Sequence, residues 1–397
     1  MTETSPTSPT SGAAPASGTP GPGPRVLLIE GALRDNGGLR VSLDLARRWQ
    51  AMGARVRFLV LENVEPDGPM LQPDPALDTR WGSAQVRRFR SAFPRIVATT
   101  VRHARRADVV VSGSEVGYGL LIGWAAAKIA GKPFVVLVQS SLPRAVAAWT
   151  PARLRPLLTS VHQRVDAAIC VSPGLVDDVV EVGLPAERIH VADIGIDVAA
   201  TRQAALDQGG PRRPTSGRTR FVAAGRLAQQ KGFDVLLEAV ARVVAAGDDV
   251  ELEIVGAGEL DADLKAQAEL LGLGDRVEFP GHVGDLQARL AGADAFVLSS
   301  RYEGNGSLVL LEALAHGRPV IATDCPTGPR YVLRDGELGD LVPTEDVTAL
   351  ADALSAFVRD PEPLLRKASG AVNRAWDFDQ DAAALEVATI LAGLVRR

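Results

Sequence analysis

What most limits the fold of this chain is a repeated alternation of short apolar runs, glycine-punctuated turns and stretches with helical spacing. The first unit is Arg25-Val26-Leu27-Leu28-Ile29-Glu30, a glycine turn at Gly37-Gly38, a helical pattern from Val41 to Met52 ended by Gly53, and a second run from Val56 to Leu61. Strands that are apolar throughout are buried on both faces, and strand–helix–strand units lay them parallel. The alternation continues with strands at Asp108 to Ser112, Phe134 to Val138 and Ala167 to Val171, and a helix from Leu120 to Ile129 stopped by Gly131. Ser172-Pro173 reads as an N-cap followed by proline at the first helical position. The pattern predicts an α/β fold with a doubly wound parallel sheet.

A second series follows. Residues Asp207 to Arg218 are rich in Gly, Pro, Arg and Ser with no apolar period, and read as an interdomain linker. Beyond it, strands are expected at Arg220–Ala224, Glu251–Val255, Val277–Phe279, Ala295–Leu298 and Pro319–Ala322, with helices between them and an amphipathic helix from Asp379 to Arg397. At 397 residues and 46% hydrophobic, the chain can bury two cores, and with 5% aromatics those cores must be aliphatic. The expected division is a disordered Ser/Thr/Pro/Gly tail at 1–24, a domain at 25–206, a linker at 207–218, a second domain at 219–375 and a closing segment at 376–397. Two such domains place a cleft between the carboxyl ends of two sheets, where ligands bind.

Several classes are not expected. There are two cysteines, Cys170 and Cys325, and five histidines, with no Cys-x-x-Cys, which argues against a disulfide framework or a zinc site. No apolar stretch reaches the length of a spanning helix, and the N-terminus lacks a signal-peptide pattern, so a cytoplasmic location is expected. Residues 25–200 carry a net +5 and residues 201–397 a net −9. Arg80 to Arg106 holds eight arginines and no acid, with Phe93, Ile96, Val97 and Val101 set against Arg95, Arg102, Arg105 and Arg106. That stretch is either a solvated helix face or a docking surface for an anionic membrane or polyanionic acceptor. Nucleic acid is not an expected partner.

The chemistry concentrates after the linker. Gly225-Arg226-Leu227 follows a strand directly and Gln230-Lys231-Gly232 precedes a helix, so Arg226 and Lys231 share a strand-to-helix loop at the cleft. Two cations there can hold a diphosphate and stabilise its charge as it leaves, or can simply be solvated. Gly256 and Gly258, in Val255-Gly256-Ala257-Gly258, either let backbone approach a ligand or are ordinary turn glycines. The densest stretch, Ser299 to Leu333, reads SSRYEGNGSLVLLEALAHGRPVIATDCPTGPRYVL. Ser307 opens a helix after a glycine loop, so the amides of Ser307, Leu308 and Val309 can point at a phosphate. Glu312 lies in an otherwise apolar helical run, where a carboxylate needs a partner: ribose hydroxyls, or an internal cap or ion pair.

These motifs resemble the family 4 glycosyltransferases of the GT-B fold. The resemblance is carried by GRLAQQKGFDVLLEAV, EGNGSLVLLEALAHGRPVIATD and DGELGDLVPTEDVTALADAL, and more weakly by Gly37-Gly38 and Gly195-Ile196-Asp197. It implies two Rossmann-like domains and a retaining, metal-independent transfer from a nucleotide-diphosphate sugar, with UDP the commonest family donor. The implied acceptor is a glycan, a lipid-linked molecule or a small molecule, and no cofactor is implied. Arg226 and Lys231 would bind the donor diphosphate, Glu303 the donor sugar, Glu312 the ribose, and the backbone at Ser307, Leu308 and Val309 a phosphate. Gly256 and the loop Gly281 to Val283 would lie near the nucleotide, and Gly37 and Gly38 near the phosphates or the acceptor. The last helix would cross back to the first domain.

The chain departs from the family pattern in places. Eight residues separate Glu303 and Glu312 where the family has seven, which lengthens the loop at Gly304-Asn305-Gly306 and puts the role of Glu303 in question. Tyr331 stands where the family often has Glu, and Gln139-Ser140-Ser141 where it often has a His, with Glu115 a further polar candidate. Ile194 replaces the Asn of Asn-Gly-Ile-Asp.

Other readings make distinct demands. A metal-dependent GT-A transferase needs a strand-end Asp-x-Asp; Asp261/Asp263 and Asp377/Asp379 match formally, the first pair being equally suited to the first turn of a helix. A nicotinamide oxidoreductase needs Gly-x-Gly-x-x-Gly, which the loop from Gly31 to Gly38 lacks. A sugar-nucleotide epimerase of the same fold, or an inactive nucleotide-sugar-binding protein, remains as the alternative.

Overall fold

The computed structural model describes residues 23–33, 37–61, 72–82, 89–193, 195–209, 217–303 and 307–396, with backbone alone at 89–91. The tail at 1–22, most of the stretch read as a linker, Ile194 and the loop Gly304-Asn305-Gly306 lie outside the described residues.

Two parallel sheets form, each from the apolar runs. The first contains β1 (Arg25–Glu30), β2 (Arg55–Val60), β3 (Asp78–Trp81), β4 (Val109–Ser112), β5 (Phe134–Val138), β6 (Ala167–Cys170) and β7 (Ile189–Val191), in the order 3-2-1-4-5-6-7. The second contains β8 (Thr219–Ala224), β9 (Val250–Val255), β10 (Val277–Gly281), β11 (Ala295–Leu298), β12 (Val320–Thr323) and β13 (Asp340–Val342), in the order 10-9-8-11-12-13. The strand order reverses beside β1 and β4 in one sheet and beside β8 and β11 in the other. Each reversal opens a crevice at the carboxyl ends of the strands.

Central strands such as β4, β5 and β11 are buried along their whole length, which explains their unbroken apolar sequence. The strands that pattern alone does not reveal, β3, β7 and β13, are three or four residues long and lie at sheet edges. An edge strand has fewer neighbours to cover it and needs no apolar run.

Two local expectations are corrected. Gly37 and Gly38 are not a turn preceding the helix but its first two residues, in the helix Gly37–Ala51. Ser172 does not cap: its backbone is extended, its hydroxyl has no partner, and a 3-10 turn, Pro173–Leu175, intervenes before the helix Val176–Val182.

The chain changes halves earlier than its composition suggests. Ala192 belongs to the core of the first sheet, whereas Ile196 and Val198 belong to that of the second. The helix Val198–Asp207 packs on the helices Leu286–Gly292 and Leu308–Ala315, and Arg202 donates to the carbonyl of Ala315 at 2.8 Å. The crossing therefore falls at 193–197, before the irregular stretch at 207–218, because a domain boundary follows the burial of side chains rather than loop composition. The return crossing runs alongside it: Ile196 N–H donates to the Phe378 carbonyl at 3.1 Å, and Gln380 N–H to the Ile196 carbonyl at 3.0 Å. The helix Gln380–Val395 then buries Ala383, Ala384, Val387 and Leu391 in the first core. Among the described residues, no helix is long and apolar enough to cross a membrane.

Candidate active site

The site is built where the second sheet reverses its order. Lys231 sits at the end of the short turn after β8, and its side chain runs beside Gly225, where a Cβ would lie 3.0 Å from the lysine Cε. Its ammonium meets the Glu303 carboxylate at 2.7 Å. Ser300 donates its hydroxyl to the same carboxylate oxygen. Hydrogen bonds stitch this loop to the end of β11: Arg301 N–H to the Gln230 carbonyl at 2.8 Å, and the Ser299 hydroxyl to the Lys231 carbonyl at 2.8 Å. Arg301 also grips Asp234 bidentately, at 2.8 and 2.7 Å. Burial opposes the charge on Asp234, but Arg301 outweighs it and holds that carboxyl below the ordinary range.

Arg226 stands on the same loop but points outward, 3.6 Å from the exposed Glu259. The structure thus joins Lys231 to Glu303 and leaves the Arg226 guanidinium outside that pair.

Gly256 and Gly258 are each required by the close approach of backbone from the loop after β8. A Cβ on Gly256 would fall 1.9 Å from the Gly225 carbonyl oxygen, and one on Gly258 2.3 Å from that of Leu227. The loops after β8 and β9 touch through bare backbone. The loop after β10 joins them, since Gly256 N–H donates to the Gly281 carbonyl at 2.9 Å, and Val283 packs against the core nearby.

Ser307 is buried, with φ 64°, and the helix begins at Leu308, one residue later than expected. The Ser307 side chain makes no cap hydrogen bond, and the amides of Ser307, Leu308 and Val309 lie at the positive end of the helix. Glu312 follows on the same helix. Its carboxyl is pushed up to about 7 by burial, with the Gln287 side chain and the charge of Arg40 in the first half lowering it.

On the facing side, Gln139 donates its amide to the carbonyls of Gly38, at 3.2 Å, and Gly113, at 2.6 Å. The Gly38 carbonyl is therefore already engaged, and space around the Gly37 α-carbon is open. Glu115 accepts from the Ser140 hydroxyl and is raised by burial. Glu30 is pushed up to about 7 by burial, with the Ser42 hydroxyl lowering it and the Glu115 charge raising it.

The halves meet around this cleft. The Arg144 guanidinium lies 5.1 Å from the centre of the Tyr302 ring, and Tyr331 donates its hydroxyl to Asp193 at 2.5 Å. The Thr327 hydroxyl donates to the Glu303 carbonyl, and its methyl would be 3.2 Å from a Cβ on Gly174 of the first half. Ser300, Arg301, Thr327, Arg144 and Gln287 were not singled out from sequence. Each is a common residue whose significance comes from a neighbour distant in the chain.

Both Asp-x-Asp pairs have local duties. Asp261 pairs with Lys265 at 2.7 Å in the first turn of the helix Asp261–Leu270. Asp377 pairs with Arg374 and Arg334, and Asp379 caps the last helix. Cys170 and Cys325 are free, their thiols pushed up to about 12, chiefly by burial.

The comparisons with known proteins agree with this architecture. Residues 36–195 match the glycosyl transferase 4-like domain model, and residues 218–360 match the glycosyl transferases group 1 model. A phosphatidyl-myo-inositol mannosyltransferase of Mycobacterium leprae is 31% identical over 327 residues, covering 80% of this chain and 82% of that protein. A lipopolysaccharide core biosynthesis glycosyltransferase of Rhizobium meliloti is 33% identical over 205 residues, covering 52% of this chain and 57% of that one. Among solved structures, Anabaena HepE in complex with UDP and glucose superposes with a TM-score of 0.75 at 20% identity, over 93% of this chain and 99% of that one. Two Rossmann-like halves in this arrangement constitute the GT-B fold, and the chain belongs to the group 1 glycosyl transferases, glycosyltransferase family 4.

Proposed function

We propose that the chain is a retaining, metal-independent glycosyltransferase that moves a sugar from a nucleotide diphosphate, a UDP-sugar first among them, to a glycan, lipid-linked or small-molecule acceptor. The observation that carries this reading is the Lys231–Glu303 pair, largely sheltered at the strand-order reversal of the second sheet, with the helix Leu308–Ala315 starting shortly after Glu303 in the chain. Breaking a sugar–diphosphate bond builds negative charge on the leaving group and positive charge on the sugar. Lys231, Arg226 and the amides at Ser307, Leu308 and Val309 address the first charge without a metal. Glu303 is free to accept from the donor sugar's hydroxyls once the diphosphate draws Lys231 away. Glu312 takes the ribose. Transfer with retention lets the departing phosphate receive the acceptor's proton on the same face, so no separate general base is needed.

The UDP-bound HepE structure and the lipid-directed mannosyltransferase among the relatives support a UDP-sugar donor and a membrane-borne acceptor as first choices. Exposed Phe93, Arg95 and Arg102 on the helix Phe89–Ala104, with exposed Arg105 and Arg106 in the turn that follows it, support peripheral docking on an anionic membrane from the cytoplasmic side. Ile96, by contrast, is core.

The test is a panel of UDP- and GDP-sugars with and without EDTA, followed by NMR of the anomeric proton in the product. Transfer that survives EDTA and keeps the donor's anomeric configuration supports the reading. Inversion, or activity abolished by EDTA and restored by a divalent cation, overturns it. Binding to phosphatidylglycerol-containing vesicles that persists unchanged in Arg102→Glu/Arg106→Glu removes the docking surface.

A further inference from the structure

Two loops at the carboxyl edge of the second sheet are joined residue by residue. Gln229 to Gly232 follow β8, and Ser299 to Glu303 follow β11. The Gln229 carbonyl accepts from Nη1 of Arg301 at 2.7 Å, the Gln230 carbonyl from the Arg301 N–H at 2.8 Å, and the Lys231 carbonyl from the Ser299 hydroxyl at 2.8 Å. Gln230 returns a bond from its side-chain amide to the Tyr302 carbonyl at 3.0 Å. A Cβ on Gly232 would fall 2.2 Å from the Ser299 carbonyl oxygen, so backbone meets backbone there.

Arg301 is the centre of this seam, with 19% of its side chain exposed. Besides Gln229, its guanidinium holds both oxygens of Asp234, in the first turn of the helix Phe233–Ala245, at 2.8 and 2.7 Å. Its Nε donates to Glu345, which lies between β13 and the helix Val347–Arg359. One planar group thus ties the loops after β8, β11 and β13. Lys231 is bracketed by what Arg301 holds: Gln229 and Gln230 before it and Asp234 after it. Every nitrogen of the guanidinium already donates within the protein, so the group is committed to the loops and not to a phosphate. A charge that stabilises a leaving group works when it is already in place, and a displacement of about 1 Å can cost roughly a hundredfold in rate.

We propose that Arg301 is a positioning residue for Lys231: it locks the loop after β8 against the loop after β11 so that the ammonium stands beside Glu303 where the donor diphosphate is held. This rests on the reading of Lys231 as a diphosphate-binding group. Arg301 acts through the loop and does not touch the substrate.

A mutant cycle separates the two ideas. Binding of UDP and GDP to the full chain is measured by calorimetry, whose stoichiometry reports the folded fraction separately from the affinity, and the nucleotide that binds is carried through the series. Arg301→Lys keeps the charge but replaces a planar fork by one flexible point of attachment. Asp234→Asn removes a negative charge, which by charge alone would tighten the hold on an anion. Both weaken diphosphate binding roughly tenfold to a hundredfold, the range for a hydrogen bond to a charged group, and lower kcat with it. Lys231→Gln, which can still donate to Glu303, weakens binding at least as much, and adding Arg301→Lys to it costs nothing further. Asp234→Asn serves if Arg301→Lys does not fold. Wild-type affinity in either folded variant, with Lys231→Gln defective, overturns the proposal, and so does an equal further loss in the double variant. Wild-type affinity in Lys231→Gln overturns the reading beneath it.

Discussion

The ammonium of Lys231 and the carboxylate of Glu303 lie 2.7 Å apart with only 15% and 4% of their side chains exposed. They stand 72 positions apart in sequence. A pair this sheltered behaves differently from the exposed Arg226, and the difference separates binding roles from stability roles. Lys231→Ala leaves Glu303 buried and unpaired, which costs about 3–5 kcal/mol of stability. Turnover falls by roughly 10²–10³, as on loss of one preorganised charge-stabilising group. Arg226→Ala loses turnover similarly but changes stability by no more than about 0.5 kcal/mol. Thermal unfolding beside steady-state rates checks both; near-wild-type turnover in the two variants would refute the assignment.

Glu30 and Glu312 both have carboxyls raised to about 7 by burial. In the unfolded chain they release their protons near the ordinary glutamate value. Between that value and about 7 the folded protein holds more protons, so their contribution to stability falls as pH rises through the window and levels off above it. Glu30→Gln or Glu312→Gln should flatten this slope and raise the Tm at pH 8 relative to wild type, while matching it at pH 5. Unfolding scans of the three proteins across that range decide the matter; parallel curves would contradict the burial argument.

Gly195 stands where the two interdomain crossings touch. A Cβ there would lie 1.7 Å from the Phe378 carbonyl oxygen, and backbone cannot yield as a flexible side chain can. Gly195→Ala must part the crossings and break the hydrogen bonds between Ile196 and residues 378–380. The expected cost is at least the ~1–3 kcal/mol of an overpacked core, with activity lost more steeply because the facing halves lose register. A wild-type Tm and rate in this variant would show that the crossings separate freely.

Arg144 and Tyr302 bridge the halves beside Glu303. A cation–π contact at a partly exposed position is worth about 0.5–1 kcal/mol. Arg144→Ala and Tyr302→Leu should each shift the population toward a more open cleft, seen as a larger radius of gyration by small-angle scattering. The double variant should be no more open than either single one. Additive opening would mean that the two side chains act independently.

Much of this protein is legible from its order of residues alone. Two series of parallel strands follow from local apolar runs and glycine turns, because period and turn chemistry are written within some fifteen residues. Lys231, Glu303 and Glu312 stand out for the same reason: a charge beside a turn glycine or within an apolar run is locally conspicuous. What could not be read was who meets whom. The sheet order brings the loop after β8 against the loop after β11, and only then do Lys231 and Glu303 become partners. The glycines at 256 and 258 announce a close approach, but the approaching body, another loop, is set by the β8–β9 neighbourhood. The edge strands β3, β7 and β13 and the crossing at 193–197 carry no local signal, since edge position and domain membership are properties of burial. Gln287 is the extreme case: an ordinary helical glutamine until packing sets its side-chain oxygen 2.6 Å from the ring of the buried His316.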